Sequence, residues 1–287
     1  MRAIVLALLA VTSAARVSAA FRAQEQPTGT RQMVGRFGSP ILTVRMGAVH
    51  EALEVVKSGR GQELLRSPEI QAGLLELLRR ENGMHVRRFF DQDAAKALGD
   101  GEGWAEYYSE AGELAMGMIP LLDVTRQRDW LKLLARGSYN VESRFGVWLA
   151  EHGDLVIDAL LDQTKTAAIA PDRWNAYGVL AQMVAFTAFT PQGSHPLKHP
   201  LSFGNRQRAL NAVNEGLNHP DTITAKEVVR ALRSSPSAET HGILQDFLRK
   251  ARGRPGFSTR GEGPRSLQEE VEKAIADTEV ALHQKRR

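Results

Sequence analysis

Apolar residues recur along most of the chain at steps of three and four, the spacing that places them on one face of an α-helix. The first clear stripe lies within residues 40–56 and the last within residues 266–282. Glycine, proline, aspartate or asparagine separates successive stripes, which are about 10–16 residues long. No segment shows the alternation of apolar and polar residues that is typical of a β-strand. The pattern therefore predicts an all-α protein.

Residues 221–250 show the pattern most clearly, as two short amphipathic helices separated by the Ser-Ser-Pro-Ser segment 234–237. Thr224 and Glu227 have the spacing of a capping box at the start of the first helix. A connection of about four residues predicts that the two helices fold back on each other. Neither helix can bury its apolar stripe alone, so the pair needs neighbours, as in a helical-repeat protein.

An aspartate followed by an apolar-apolar-x-x-Leu pattern recurs along the chain. The segments Asp123…Leu134 and Asp221…Leu232 resemble the second-helix signature of HEAT and armadillo-type repeats, in which such an aspartate and a basic residue tie adjacent repeats together. The resemblance covers roughly residues 40–251 and implies an α-α superhelix of helical hairpins that binds a protein or peptide. An irregular helical bundle is the alternative. The recurring aspartates are Asp93, Asp123, Asp154 and Asp221.

The first 19 residues resemble a secretory signal peptide. Arg2 precedes an apolar run, and small residues then predict cleavage after Ala19. The run is too short to span a bilayer, which takes about 20 apolar residues. We therefore expect export to the periplasm or the medium, with no transmembrane span in the mature chain. An ordinary N-terminal helix is the alternative.

The chain after the leader divides into four predicted segments. We expect the last helix to dock on the body of the protein or on a partner, because it is amphipathic and begins with the capping box Ser266…Glu269. The predicted order is a flexible lead-in over residues 20–38, a helical-repeat domain over 39–251 that contains an irregular loop over 190–205, a Gly/Arg/Pro linker over 252–265 and a C-terminal helix over 266–287.

Charge and cysteine content exclude several classes of protein. The formal net charge is +4, and loss of Arg2 and Arg16 with the leader leaves +2, so we expect no nucleic-acid partner. The chain has no cysteine, which excludes disulfides, thiolate metal sites and a cysteine nucleophile. A hydrophobic fraction of 43% and a charged fraction of 24% are ordinary for a folded globular protein.

Few residues suggest catalysis or metal binding. His195 and His199 are the candidate metal ligands, but flanking prolines exclude the helix on which this spacing would chelate zinc, and a loop without metal is favoured. No nucleophile elbow and no isolated carboxylate pair is found, so we predict no catalytic residue and no cofactor. The alternative to a non-enzymatic scaffold is an exported enzyme or a small-ligand or metal-binding protein with a pocket near residues 190–205.

The partner-binding surface is predicted from charge. Two arginine pairs bracket an expected turn at Asn82-Gly83, where they would form a basic ridge for a protein or peptide partner: Arg79, Arg80, Arg87 and Arg88. Seven aromatic residues could instead line a groove, but their helical spacing with aliphatic neighbours favours core packing. These are Trp104, Tyr107, Tyr108, Trp130, Trp148, Trp174 and Tyr177.

Overall fold

The computed structural model describes residues 29–99, 101–187, 201–260 and 264–284. All regular secondary structure in these ranges is helical, which confirms the predicted all-α class. The contacts divide the chain into two compact units, the first ending at Leu77 and the second beginning at Leu78. The sequence prediction places no boundary there.

Fourteen helices lie in the described ranges. A π-helical turn, Val56–Arg60, follows the second of them, and a 3-10 turn, Ile119–Leu121, follows the sixth. The helices are α1 (residues 29–37), α2 (Leu42–Val55), α3 (Gly61–Arg66), α4 (Pro68–Arg88), α5 (Gln92–Leu98), α6 (Gly101–Met118), α7 (Val124–Ala135), α8 (Arg144–Glu151), α9 (Gly153–Thr166), α10 (Ala170–Thr187), α11 (Phe203–Leu217), α12 (Thr222–Arg233), α13 (Ala238–Ala251) and α14 (Leu267–Gln284).

Unit 1 begins with a helix that the sequence analysis does not predict. The expectation of a flexible lead-in over residues 20–38 is wrong for residues 29–37, which form α1. Phe37 is 1% exposed, and Gly73 of α4 provides room for it, because a Cβ atom at Gly73 would lie 3.2 Å from Val34 and 3.4 Å from Phe37. Burial of these side chains against α4 stabilises α1, although the composition of residues 29–37 is largely polar.

The helix that follows α1 ends where the sequence predicts. Gly59 has a φ of 83°, a left-handed conformation that favours glycine. It therefore interrupts the helical backbone after α2. The predicted start is displaced, since α2 begins at Leu42 and not at Pro40. Inside the unit, Arg45 is fully buried and its Nη1 donates to the Ser39 carbonyl oxygen at 2.7 Å.

Unit 2 is built from two layers of stacked helices. Helices α6, α8, α10, α12 and α14 form one layer, in which each packs against the next, and α7, α9 and α11 follow one another in the same way in the second layer. Consecutive helices then pack across the layers, as α9 does on α10, α11 on α12 and α13 on α14. This packing is compatible with a helical-repeat fold, in which each pair of helices covers the apolar stripe of its neighbours.

The hairpin predicted at residues 221–250 does not exist as a pair. Helix α12 packs chiefly against α10 and α14 and contacts α13 only slightly. The segment therefore holds the second helix of one hairpin and the first helix of the next. The predicted Thr224 capping box is also wrong: Asp221 is the N-cap and accepts from Ile223 N–H at 2.9 Å, while the Thr224 hydroxyl donates to Asp221 at 3.0 Å.

Helix α4 is longer than predicted because tertiary contacts override its local breaker. The Asn82-Gly83 pair lies inside the helix, and Asn82 Nδ2 donates to the Leu133 carbonyl oxygen at 3.2 Å. The next break is short: Gly99, with a φ of 70°, ends α5, and α6 already begins at Gly101.

The C-terminal helix docks on unit 2. Its predicted capping box is confirmed, with Ser266 N–H donating to Glu269 at 2.6 Å and Glu269 N–H donating to Ser266 Oγ at 3.2 Å. Helix α14 packs against α12 and α13. The preceding linker also packs, because Phe257 is 3% exposed and meets Phe247 edge-to-face at a centroid distance of 5.9 Å.

The irregular loop predicted over residues 190–205 ends earlier than expected. Helix α11 begins at Phe203, and the N-cap Ser202 accepts from Asn205 N–H. The Asp154 carboxylate in turn accepts from Ser202 N–H at 3.0 Å and from Asn205 Nδ2 at 2.8 Å, so α9 fixes the start of α11. Within the described ranges, no helix is both long enough and apolar enough to cross a membrane.

Candidate functional site

A cleft opens on unit 2 between α11 and α13, and side chains bridge it at both ends. Arg206 near the start of α11 pairs with Glu239 near the start of α13. At the other end, Arg254 Nη1 donates to Asn218 Oδ1 at 2.7 Å. Because corresponding ends are joined, α11 and α13 run in the same direction, as helices of one layer in successive hairpins do.

The cleft has an apolar floor and a polar rim. Its volume is about 410 Å³, within the range of about 300–1,000 Å³ that is usual for ligand sites. Leu217 and Phe247 are 2% and 4% exposed and form the floor with Ile243. The rim consists of Asn214, Asn218, Glu239, Asp246 and Lys250.

Gly242 widens the cleft in the middle of α13. It lines the cleft, and a Cβ atom built on it would meet no atom within 4 Å. Glycine in a helix interior costs roughly 0.5–1 kcal/mol relative to alanine. An open surface at this position therefore comes at a cost in helix stability, and any larger side chain at position 242 would enter the open space.

A cluster of polar side chains lies buried elsewhere in unit 2. His85 of α4 faces Asp172 of α10 with Nε2 and Oδ1 3.3 Å apart, and the His85 ring stacks on Trp104 of α6 at 5.9 Å between ring centroids. Tyr107 donates from its hydroxyl to Glu81 Oε1 at 3.3 Å. The cluster also contains Tyr108 and Tyr139, both fully or nearly fully buried.

Burial dominates the electrostatics of this cluster. It raises the pKa of Asp172, which the nearby His85 lowers by a smaller amount. Burial also raises the pKa of Tyr108 and of Tyr139, and the Asp172 carboxylate raises both further. Each shift favours the neutral form of an acid, because a low dielectric penalises charge.

The cluster has the residue types of an acid–base site but lacks access for a substrate. His85 and Asp172 are each 3% exposed in their side chains. No group of three or more His, Asp or Glu residues in the described ranges is arranged to hold a metal ion. We therefore assign the cluster a structural role, in which it ties the end of α4 to α6 and α10.

The four arginines predicted to bind a partner do not form one ridge. All lie on α4, which continues through the expected turn. At 3.6 residues per turn, Arg80 and Arg87 lie on one face, while Arg79 and Arg88 lie about 180° apart. Arg87 pairs with Asp91 at 3.7 Å, and Arg88 has one buried guanidinium nitrogen without a hydrogen-bond partner among the described residues.

The aromatic residues are core residues, as the sequence analysis favours. Six of the seven are buried, and Trp174 is part-buried, with its Nε1 donating to Asp221 at 2.5 Å. The candidate metal ligands His195 and His199, and the signal peptide predicted over residues 1–19, lie outside the described residues.

The recurring aspartates do not hold equivalent positions. Asp123 is the N-cap of α7 and Asp154 lies in the first turn of α9, both in one layer, whereas Asp221 caps α12 in the other layer. Asp93 lies inside α5, whose N-cap is Asp91. Only Asp123 and Asp221 share a capping role, so the recurrence of these aspartates along the chain does not mark equivalent positions of a repeat.

The sequence predicts neither the cleft nor the buried cluster. The cluster leaves a weak signal, since Glu81 and His85 are four residues apart on one face of a helix. In the cleft, Asn214 and Asn218 show the same spacing, and Gly242 stands inside a helical pattern without ending it. The assembly of α11 with α13 has no local signature.

These features define an all-α protein of stacked helices with an open cleft in its second unit. Comparison of the chain with protein-family models, with curated proteins and with solved structures found no match.

Proposed function

We propose that this chain is an exported, non-enzymatic helical-repeat scaffold of HEAT/armadillo type that binds a segment of a partner protein. The two-layered stacking of α9/α10, α11/α12 and α13/α14 supports the repeat assignment. The leader-like pattern of residues 1–19 supports export.

The observation that carries the binding function is the cleft between α11 and α13. It combines an apolar floor with a polar rim. In such an arrangement the floor accommodates a side chain of the partner, and the rim orients the partner's main chain. The site lies between two helices of one layer, where a helical-repeat protein presents its extended binding surface.

Affinity capture with two glycine variants tests this proposal. The mature chain, residues 20–287, is used as bait with cross-linking in cells that express it. Gly242→Leu fills the cleft, whereas Gly83→Leu adds the same side chain to another exposed helical glycine, one that has no atom within 4 Å of its built Cβ. We expect wild type and Gly83→Leu to capture one protein in near-stoichiometric amount and Gly242→Leu to lose it.

Two results would reject the proposal. Capture that persists in Gly242→Leu would place the contact surface elsewhere on the chain. Repeated captures that recover no specific protein would remove the scaffold function itself. Export is tested separately by sequencing the N-terminus of the mature protein, which we expect to be Ala20.

A further inference from the structure

The buried cluster of unit 2 contains polar atoms that no neighbouring group satisfies. Six such atoms belong to five side chains, none of which is more than 3% exposed. They are Nδ1 and Nε2 of His85, Nε1 of Trp104, the hydroxyl oxygens of Tyr108 and Tyr139, and Oδ1 of Asp172. None of the six has a hydrogen-bond partner among the described residues. Most buried polar groups in folded proteins do have one, so this concentration requires an explanation.

The five side chains come from four segments of the chain that meet inside unit 2. His85 Nε2 of α4 lies 3.3 Å from Asp172 Oδ1 of α10, but without the geometry of a hydrogen bond. The Trp104 ring of α6 stacks on the His85 ring. Burial raises the pKa of Tyr108 and of Tyr139, and the Asp172 carboxylate is close enough to raise both further. The unpartnered atoms of α4, α6, α10 and the connection after α7 therefore lie close together.

Without any partner, these atoms would weigh heavily against the folded state. In the unfolded chain each of them forms hydrogen bonds with water, and burial without a replacement loses that interaction. Six such losses would together be comparable with the free energy of unfolding of a typical domain. A stable unit 2 therefore needs a hydrogen-bonding molecule at this position.

The mixture of donors and acceptors defines the chemistry of that molecule. Trp104 Nε1 can only donate, the Asp172 carboxyl can accept in either protonation state, and the two tyrosine hydroxyls can do both. A metal cation gives no acceptor to the indole N–H, and an anion gives no donor to the carboxyl. The molecule is therefore neutral, and it both donates and accepts. It is also small, because the surrounding side chains are almost completely buried.

We propose that the buried cluster encloses ordered water molecules, which are the hydrogen-bond partners of its six unpartnered polar atoms. An internal water molecule typically makes about three hydrogen bonds, so one molecule can join three segments of the chain. The water is then a structural ligand that links α4, α6, α10 and the connection after α7. This site lies apart from the α11–α13 cleft, and it does not depend on the proposed binding function.

Nuclear Overhauser effects (NOEs) from water to the indole N–H protons test the proposal directly. The mature chain, residues 20–287, is labelled with nitrogen-15, and the Trp104 signal is identified by its loss in Trp104→Phe. A water molecule that tumbles with the protein gives an NOE of the same sign as one between two protein protons, and we expect this NOE at Trp104. Trp174 is the internal control, because its Nε1 donates to Asp221 and needs no water.

Removal of one hydroxyl group distinguishes a hydrated cluster from a dry one. Tyr139→Phe deletes an oxygen that is bonded to water in the first case and unpartnered in the second. Loss of a hydrogen bond should lower the midpoint of thermal unfolding by about 2–4 °C, whereas loss of an unpartnered hydroxyl would raise it. Tyr107→Phe is the matched variant, because that hydroxyl donates directly to Glu81. Its midpoint should fall by a similar amount while the NOE from water to Trp104 persists.

Two results would each overturn the proposal. The first is the absence of an NOE from water at the Trp104 indole N–H, which would show that no water is held there. The second is a Tyr139→Phe variant that unfolds at the wild-type temperature or above it, which would show that this hydroxyl has no partner to lose.

Discussion

The imidazole Nε2 of His85 and the carboxylate Oδ1 of Asp172 lie 3.3 Å apart inside unit 2, and each side chain is 3% exposed. The separation fits an ion pair, but neither atom forms a hydrogen bond with a described residue. Burial disfavours the charged form of the Asp172 carboxyl. This effect outweighs the attraction of His85, so the pKa of Asp172 is raised. A carboxyl group in this position couples folding to pH.

Asp172→Asn should remove that coupling. Because the folded pKa is raised, the folded state keeps the proton at pH values where the unfolded chain has lost it, so the free energy of unfolding of wild type falls as pH rises from about 4. Asparagine has no such proton. We expect the variant to gain stability relative to wild type between about pH 4 and neutral pH, as measured by urea unfolding.

Asp162→Asn is the matched control, since the Asp162 side chain is 49% exposed and pairs with Arg136 on the surface. Its stability should change little relative to wild type across the same pH range. Parallel pH profiles for Asp172→Asn and wild type would contradict the assigned role of burial.

Asp221 should show the opposite dependence on pH. Burial acts to raise its pKa, but the hydrogen bonds from Ile223 N–H, Trp174 and Thr224 together outweigh burial and hold the pKa below its usual value. This contribution is present above about pH 4 and is lost as pH falls through the lowered pKa. Asp221→Ala removes both a helix cap and the link to α10, so we expect a loss of about 2 kcal/mol at neutral pH by urea unfolding.

Asp123→Ala provides the comparison, because Asp123 caps α7 but pairs only with Arg126 of its own helix among the contacts that the structure shows. A loss of about 1 kcal/mol is expected there. If the two variants lose equal stability, the bond between Asp221 and Trp174 contributes nothing.

Gly137 should tolerate no side chain. A Cβ atom at this position would overlap the ring of Tyr108, which is fully buried, so the ring or the backbone would have to shift. Gly137→Ala should therefore destabilise unit 2 by about 1–3 kcal/mol in urea unfolding. Gly83→Ala meets no neighbour and should stabilise the protein by about 0.5–1 kcal/mol. Equal stability of the two variants would show that the Tyr108 ring rearranges freely.

The two valines of α14 test how firmly this helix belongs to unit 2. Val271 is fully buried, whereas Val280 is 57% exposed. Val271→Ala should cost about 2 kcal/mol in the main unfolding transition, and Val280→Ala should stay within about 0.5 kcal/mol. If neither variant changed that transition, α14 would unfold independently, as a detachable helix does.

Local chemistry accounts for the features that the sequence predicts correctly. The Ser266…Glu269 box depends on residues within one helical turn, as does the left-handed Gly59 that follows the first apolar stripe. Periodic apolar stripes likewise indicate the helices and place Trp104 and Tyr108 in the core, because a helix must bury such a face.

Errors occur where distant contacts change a local preference. Asn82 and Gly83 favour a helix end, but the bond from Asn82 to the Leu133 carbonyl oxygen and the burial of His85 keep α4 continuous. Residues 29–37 look like a flexible segment until Phe37 meets α4. In both cases, burial and hydrogen bonding with residues far along the chain exceed an intrinsic preference of about 1 kcal/mol.

By itself, the sequence determined the all-α class and some helix ends, such as the start of α14 at the Ser266…Glu269 box, because the spacing of apolar residues and the capping groups act over a few residues. Only the tertiary structure decided which helices pair, and it therefore decided where the cleft forms. The cleft requires Asn218 and Arg254, which are 36 residues apart, to meet at one end of two parallel helices. No local interaction brings these two residues together, since their contact depends on how α12 and α14 bury their apolar stripes between the layers.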